Sequence, residues 1–432
     1  MSVVGSVSER GPEMSSEAIG LDEFRMEARA WLEANLKRRR YSGPQAARTE
    51  TKTPEEIAAS RVLQRKLFDA GYAGISFPKE YGGRGLSAAH EAVFREEAAG
   101  YAMPDFGAAG AVTISAIARS MLAHASPGFL RQHIPKILSG EEIWCQFYSE
   151  PAAGSDLAGI RTRATRNGDR WVLNGSKIWS SGAYYADFAM CLARSDWDVP
   201  KHRGLTWFAV STKAEGLTIR PIVQIDGEAG FCQEFLDDVV VSADDIIGEV
   251  NKGWAVAQTM LVYERGGGQA GPVIMEPRIL APDLVALARK VQRSKDPVIR
   301  QSIARAHIND YAQYHLGKRI SARLRASEKP DPAVAAYGKL ASGTFSPIRA
   351  RIAVEIGGAE ALLWHADDER AMRYSINYLN GRMTSIAAGT NEMQRNGIGE
   401  RVLGLPREPS FDSSRTFSEV ISNARNWEGR VG

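Results

Sequence analysis

Two short polar segments between residues 145 and 183 constrain this chain more than any other part of its sequence. The first, residues 149–156, reads SEPAAGSD. Pro151 fixes φ and lacks an N–H group, whereas Gly154 lets the backbone approach a ligand closely. Successive backbone N–H groups and the hydroxyls of Ser149 and Ser155 can therefore converge on an anion such as a pyrophosphate.

The second segment, residues 175–181, reads GSKIWSS and places a tryptophan in a strand-like run. Trp179 offers a large flat ring, and Ser180 and Ser181 offer small hydrogen-bond donors beside it, a combination that suits stacking on a flat heterocycle. Either segment alone is a weak signal, because most Gly/Ser loops are ordinary turns and most strand tryptophans belong to a core. Their value lies in the joint occurrence, in this order and at this spacing.

Composition narrows the class of protein. A chain of 432 residues with 44% hydrophobic and 24% charged residues is typical of a globular protein of two or three domains. A formal net charge of +3 argues against a nucleic-acid partner. The three cysteines form no C-x-x-C pair and the seven histidines no H-x-x-H spacing, so neither disulfides nor a metal site is predicted. The first residues lack a signal-peptide core and residues 107–118 are too short to span a bilayer, which predicts a cytoplasmic protein without membrane insertion.

Apolar periodicity divides the chain into regions. Residues 1–20 are rich in Ser, Glu and Gly and are interpreted as a disordered tail. Helical spacing dominates residues 21–143 and returns over residues 250–432, whereas short β-rich runs and turns fill residues 144–249, with a hairpin signal at Asn167-Gly168-Asp169. The expected fold class is α+β multidomain, with an all-β middle domain that carries both polar segments.

With Asn174-Gly175-Ser176-Lys177-Ile178-Trp179, residues 149–156 resemble the flavin-binding pair of motifs of the acyl-CoA dehydrogenase family. The resemblance covers roughly residues 21–408 and implies that family's fold: an N-terminal helical domain, a middle β-barrel or sandwich domain and a C-terminal four-helix-bundle domain. It also implies FAD, an acyl-CoA substrate, and electron-transfer flavoprotein or a similar acceptor. By this resemblance the cofactor-binding residues are Phe147, Tyr148, Ser149, Gly154, Ser155, Trp179, Ser180, Ser181, Thr390 and Glu392, and Ser155 also binds substrate.

The family's reaction removes a proton beside a thioester and delivers a hydride from the next carbon to flavin N5, so it needs a carboxylate base. In many members this base is the Glu of a Tyr-Glu-Gly-Thr run, but here Ala388 occupies that position, in Ala387-Ala388-Gly389-Thr390. Members of the isovaleryl-CoA type carry the base on the first long helix of the C-terminal domain, where this chain has Glu264-Arg265. The resemblance thus makes Glu264 the base, with Arg265 near the substrate and the N–H of Ala388 serving the thioester oxygen.

Helical spacing adds a physical argument for Glu264. It follows Leu261 by three residues and Ala257 by seven, on the stripe of Trp254, and is predicted to face protein or ligand rather than water. A carboxylate on such a face has a pKa raised by desolvation, which suits a general base. The alternative is that Glu264 only forms an ion pair with Arg265 or another cation.

Two departures from the family pattern concern partners. Homo-oligomeric relatives carry R-x-x-F-G and a later Q-x-x-G-G that reach the neighbour's cofactor. Here residues 289–293, reading RKVQR, lack the Phe-Gly, and Val354 replaces the Gln before Gly357 and Gly358. The chain therefore resembles the flavin-bearing subunit of bacterial α2β2 heterotetramers that act on sterol side chains or dicarboxylic acyl chains. A homo- or hetero-oligomer with a related subunit is expected, and we favour the hetero-oligomer.

The expected function is FAD-dependent α,β-dehydrogenation of an acyl-CoA. Two alternatives stay open: a non-catalytic assembly subunit of a heteromeric enzyme, and a different flavin oxidation, of a nitroalkane or amine, on the same fold. Glu264 together with intact flavin motifs favours acyl-CoA dehydrogenation over the assembly subunit. Small residues at 266–268 and at 387–388 point to a bulky or branched acyl group, unless neighbouring side chains fill that space.

Overall fold

The structure is a computed structural model that describes residues 19–38, 51–264, 277, 279–325, 332–362, 369–407, 410, 412 and 414–425. In the described part of the chain before the sheet, the helices are α1 Leu21–Asn35, α2 Pro54–Asp69, α3 Ala88–Ala98, α4 Gly107–Val112, α5 Ala118–His124 and α6 Pro127–Ser139. Phe24, Ala28 and Leu32 of α1 recur every four residues and are fully buried, so one face of that helix packs into the core of the N-terminal region.

A π-helical turn, Thr113–Ile117, joins α4 to α5. The Thr113 hydroxyl oxygen lies 2.8 Å from the carbonyl oxygens of both Ala109 and Trp144, which share its one proton, and it accepts from the N–H of Trp144 at 3.1 Å. Turns of this kind occur frequently at functional sites. Here the turn fixes the first strand of the sheet against the helical region.

Eight strands form the middle region: β1 Trp144–Phe147, β2 Arg163–Asn167, β3 Arg170–Ser181, β4 Phe188–Arg194, β5 Leu205–Ser211, β6 Leu217–Ile222, β7 Phe231–Ser242 and β8 Ile246–Ile247. Their order is β6-β7-β3-β2-β4-β5-β8, and β1 lies parallel to β4. The predicted hairpin joins β2 to β3, where Asn167 pairs with Arg170 and Gly168 adopts a φ of 65°.

The two faces of β1 belong to different cores. Trp144 and Tyr148 pack with the N-terminal helices, whereas Cys145 and Phe147 face the interior of the sheet, among residues such as Leu173, Cys191 and Val239. This alternation follows the two-residue period of a strand. All three cysteines are buried and free.

Among the residues described after the sheet, the helices are α7 Gly253–Glu264, α8 Pro282–Lys290, α9 Pro297–Arg325, α10 Pro332–Gly357, α11 Glu369–Asn380, α12 Met383–Ile386, α13 Asn391–Arg401 and α14 Phe417–Arg425. The long helix α10 packs against α8, α9, α11, α12 and α13. Leu284, Leu287, Ile303, Ile352 and Ile356 lie in the core of this bundle. Within the described ranges, none of the helices has the length and apolar character needed to cross a membrane.

Helix α7 packs differently from the helices after it. Its main contacts are with α5, the π-helical turn and β5, and its buried residues Val256, Ala257 and Met260 share a core with the N-terminal helices. Of the predicted stripe, Ala257 is fully buried and Trp254 packs against this core, whereas Leu261 is half-buried. Glu264 follows Met260 by four residues, so it continues the observed buried face, and its side chain is half-buried.

Helix α14 closes on the middle region instead of the bundle. Phe417 is 2% exposed, and the Arg194 guanidinium carbon lies 3.7 Å from the centre of its ring. Lys201 Nζ lies 3.0 Å from Asp156 Oδ1 and 2.6 Å from Asp412 Oδ2. The segment before α14 is thereby tied to the end of the SEPAAGSD loop.

Candidate active site

The SEPAAGSD loop is held by one buried carboxylate. Glu150 is 8% exposed, and it accepts hydrogen bonds from the backbone N–H groups of Arg161 at 2.6 Å and Thr162 at 2.7 Å. Burial by itself raises the pKa of Glu150, but Lys177 and these N–H groups outweigh burial and hold the pKa below its usual value. Glu150 therefore fixes the loop as an anion, while Gly154 and Ser155 stay exposed at its tip.

Lys177 joins this loop to β3. Its ammonium is fully buried and donates to Glu150 Oε1 and to the carbonyl of Tyr148, both at 3.0 Å. The N–H of Ile178 also donates to the carbonyl of Ser149 at 2.9 Å. The two polar segments recognised in the sequence therefore lie side by side, with Lys177 as the cation between them.

Trp179 stands out from the strand. Its φ is 69°, a left-handed conformation that is a genuine outlier for a bulky residue, and the pairing of β3 with β7 shifts register between Ile178 and Ser180. The indole is 56% exposed and meets Phe231 edge-on, with the ring centres 5.9 Å apart. A flat aromatic surface is thus presented beside the loop.

The two serines after Trp179 differ in burial. Ser181 is half-buried, whereas Ser180 is 2% exposed and its hydroxyl donates to Glu234 Oε2 at 2.9 Å. Glu234 is fully buried, and burial raises its pKa to about 7. Of the predicted cofactor-binding residues, Ser180 and Phe147 therefore have buried side chains.

Two buried donors, Gln146 Nε2 and Tyr148 Oη, have no hydrogen-bond partner within the described ranges. Gln146 lies in β1, and Tyr148 directly follows the strand on the same face. The Tyr148 ring packs on Trp207, with ring centres 4.7 Å apart. Burial raises the pKa of the Tyr148 hydroxyl, and the charge of Glu264 raises it further. The predicted base is thus close enough to act electrostatically on the residue that precedes Ser149.

The second predicted group of site residues surrounds the start of α13. Ala388 has a φ of 54° and Gly389 a φ of 90°, which turn the chain into the helix. Thr390 is the N-cap, and its hydroxyl accepts from the N–H of Met393 at 3.2 Å. The Glu392 side chain is 75% exposed and lies 3.4 Å from Arg395. Thr390 and Glu392 therefore lie at a helix N-terminus, and neither is buried.

Other predicted features fall outside the described residues. Arg265 and the glycines at 266–268 are among them. Within the described part of the chain, no cluster of three or more His, Cys, Asp or Glu side chains is arranged to hold a metal ion.

The residues that are described fit a flavin. An exposed indole, an exposed loop tip with backbone N–H groups, and two buried donors without partners are what a flat heterocycle with phosphates requires. Ser155, on the loop that Glu150 fixes, and the Trp179–Ser181 segment would hold such a group.

Sequence reasoning missed Lys177 and Glu234 as structural parts of this site. The lysine was visible in the Asn174–Trp179 motif, but a charged residue in a strand normally indicates a solvent face. The indicative signal was period 2, because Lys177 follows the buried Trp171 and Leu173 by an even number of residues along β3.

Three domain models of one family match the chain: acyl-CoA dehydrogenase N-terminal domain at residues 21–141, middle domain at 145–239 and C-terminal domain at 251–403. Acyl-CoA dehydrogenase IpdE1 of Mycobacterium tuberculosis is 36% identical over 401 residues, which cover 90% of this chain and 98% of the relative.

Solved structures agree with this match. One described as the Tcur3481-Tcur3483 steroid ACAD gives a TM-score of 0.71 at 28% identity and covers 90% of this chain and 98% of its own. The ChsE4-ChsE5 complex from Mycobacterium tuberculosis gives 0.68 at 27% identity, with 91% and 100% covered. The expected fold class is thereby confirmed, and the chain belongs to the acyl-CoA dehydrogenase family of flavin-dependent oxidoreductases.

Proposed function

We propose that this chain uses FAD to dehydrogenate an acyl-CoA thioester between its α and β carbons, with Glu264 as the base. The observation that carries the proposal is the electrostatic effect of Glu264 on Tyr148, the residue that directly precedes the SEPAAGSD loop. Glu264 ends α7, the helix that packs on β5 and the π-helical turn, and its charge acts on Tyr148, which directly precedes Ser149. A carboxylate beside a heterocycle-binding loop is what proton abstraction next to a thioester needs.

In this proposal the Glu264 carboxylate accepts the proton from the α carbon. The flavin, when bound, supplies the acceptor for the hydride that leaves the β carbon, so two hydrogens are removed and an enoyl-CoA remains. Negative charge develops on the thioester oxygen as the proton leaves, and the N–H of Ala388 is the proposed donor to it. Arg265 is proposed near the substrate because it follows Glu264 directly.

For the substrate we propose a bulky acyl group of the sterol-derived type. The description of one structural neighbour as a steroid ACAD supports this choice. Ala387 and Ala388 support it as well, since they leave room where larger residues stand in relatives that act on straight chains. Electron-transfer flavoprotein or a similar protein is the proposed acceptor of the electrons.

We further propose that the working enzyme is a hetero-oligomer with a related acyl-CoA dehydrogenase subunit. Both structural neighbours reported above carry two protein names each, Tcur3481-Tcur3483 and ChsE4-ChsE5. Apolar side chains in the C-terminal region are also exposed, among them Leu362 at 63%, Ile386 at 64% and Leu403 at 67%. A related subunit that covers these side chains would remove them from water.

The experiment is an absorbance spectrum of the purified chain, alone and co-expressed with a related acyl-CoA dehydrogenase subunit, followed by anaerobic addition of several acyl-CoAs. The proposal expects a flavin spectrum that an acyl-CoA bleaches in the wild type but not in Glu264→Gln. Flavin that no thioester bleaches would contradict the substrate class, and a complex in which Glu264→Gln is bleached at the wild-type rate would contradict the base. A fully flavinated, active chain on its own would contradict the hetero-oligomer.

A further inference from the structure

Trp179 holds a backbone conformation that a bulky residue avoids. Its φ of 69° lies in the left-handed region, which is unfavourable for an L-residue. Such conformations persist only where the surroundings impose them. The residues on either side of Trp179 should therefore contain the interactions that hold it.

The two residues before Trp179, Lys177 and Ile178, are held by contacts with residues 148–150. Lys177 is fully buried against Glu150 Oε1 and the carbonyl of Tyr148, and the N–H of Ile178 is bound to Ser149. These contacts fix β3 against the SEPAAGSD loop. They end at Ile178, where the register with β7 shifts.

The residue after Trp179 is anchored from the opposite strand. Ser180 donates to Glu234 Oε2 at 2.9 Å, and both side chains are buried in the interior of the sheet. Glu234 lies opposite Lys177 in the pairing of β3 with β7, yet the hydrogen bond of the Lys177 ammonium goes to Glu150. Glu234 accepts from the Ser180 hydroxyl through Oε2, and its Oε1 has no partner in the described part of the chain.

We infer that the Ser180–Glu234 hydrogen bond is a clamp that holds Trp179 in its left-handed conformation, so that Glu234 is a positioning residue for the indole. Loss of the bond releases β3 to continue as a regular strand, which turns the Trp179 side chain away from its present direction. The clamp deepens the proposed function, since it concerns the surface on which the flavin would stack, but it is a property of the chain itself.

Three variants separate the clamp from general packing. Ser180→Ala removes the donor, Glu234→Val removes the acceptor, and Glu234→Gln keeps an oxygen that can accept from Ser180. Cys191→Ala is the matched control, because Cys191 is equally buried in the same core and touches neither residue of the clamp in any hydrogen bond.

The first readout needs no flavin. The full chain is labelled with 5-fluorotryptophan, and the Trp179 resonance is assigned by its loss in Trp179→Phe. The clamp predicts one sharp resonance at an unchanged position in the wild type, Glu234→Gln and Cys191→Ala, and a shifted or split resonance in Ser180→Ala and Glu234→Val. An unchanged Trp179 resonance in folded Ser180→Ala would overturn the inference.

The second readout is the dissociation constant for FAD, measured by titration of the chain with its related subunit. Ser180→Ala is expected to weaken binding roughly tenfold, as loss of one hydrogen-bonded support does, whereas Glu234→Gln stays near the wild type. Equal weakening in Cys191→Ala and Ser180→Ala would reduce the clamp to ordinary packing and overturn it. Failure of the wild type to bind FAD would contradict the proposed function. The clamp would then be tested by the fluorine resonance of Trp179 alone.

Discussion

Lys177 Nζ lies 3.0 Å from Glu150 Oε1, and this buried ion pair joins the strand that carries Trp179 to the loop that carries Ser155. Glu150 also accepts two backbone N–H groups, so its charge is satisfied on several sides. A buried pair of this kind organises two segments of the site at once. Its removal should therefore be felt both in stability and in ligand binding.

Lys177→Met is expected to lower the free energy of unfolding by about 3–5 kcal/mol, because it leaves Glu150 as a buried charge without its cation. Urea denaturation followed by circular dichroism measures this. The double variant Lys177→Met with Glu150→Gln should recover part of the loss, since the uncompensated charge is gone. A loss below about 1 kcal/mol in the single variant would place the pair among ion pairs of little consequence.

Unlike Lys177→Met, Tyr148→Phe should not lower the free energy of unfolding. The Tyr148 hydroxyl is buried without a hydrogen-bond partner among the residues described, so its removal is expected to leave the free energy of unfolding unchanged or to raise it by up to about 1 kcal/mol. Flavin or substrate binding should weaken, because a ligand is the partner such a donor lacks. Strong destabilisation of the unliganded chain would show that the hydroxyl has a structural partner.

Glu234 predicts a specific pH dependence. Burial raises its pKa to about 7 in the folded chain, above the usual value of a carboxyl group. The folded chain binds this proton more tightly than the unfolded chain does. The stability that comes from Glu234 is therefore complete at acid pH and is lost as the pH rises through about 7.

Glu234→Gln removes that dependence. The difference in unfolding free energy between the variant and the wild type should grow in favour of the variant by up to about 1.4 kcal/mol per pH unit between roughly pH 5 and 7. Parallel urea titrations of both proteins across this range measure it. Parallel stability curves for the two proteins would mean that Glu234 titrates as an ordinary exposed carboxyl group.

Phe417→Ala tests the closure of α14 on the middle region. Because the ring is buried against Arg194, its removal should cost about 3–5 kcal/mol if α14 unfolds together with the rest of the chain. Ser422→Ala, at an exposed position of the same helix, is the matched control and should change little. An early, separate transition for Phe417→Ala would instead show that α14 unfolds on its own.

Much of the fold could be predicted from the sequence because it depends on local patterns. The helical spacing predicted for residues 250–432 corresponds to the helices α7 to α14, and the Asn167-Gly168-Asp169 signal marks a real hairpin. Apolar periodicity and turn residues are properties of neighbours in the chain, so one sequence contains them.

The parts that escaped prediction depend on distant pairings. Lys177 and Glu234 are 57 positions apart in the sequence and meet only through the pairing of β3 with β7, which has no local signature. The left-handed Trp179 likewise arises from a register shift between those strands. On α7 the buried side faces the π-helical turn and α5, so the burial of Val256 and Met260 beside the predicted stripe follows from tertiary packing.

The identity of the base is tested most directly by exchange at the α carbon. An acyl-CoA is incubated in deuterium oxide with the flavin-loaded complex, without an electron acceptor, and incorporation of deuterium at the α carbon is followed by mass spectrometry for the wild type, Glu264→Gln and Glu264→Asp. Loss of the general base should slow incorporation by at least about 100-fold in Glu264→Gln, with partial recovery in Glu264→Asp. Incorporation at the wild-type rate in a Glu264→Gln protein that still binds flavin and acyl-CoA would contradict the assignment of Glu264 as the base.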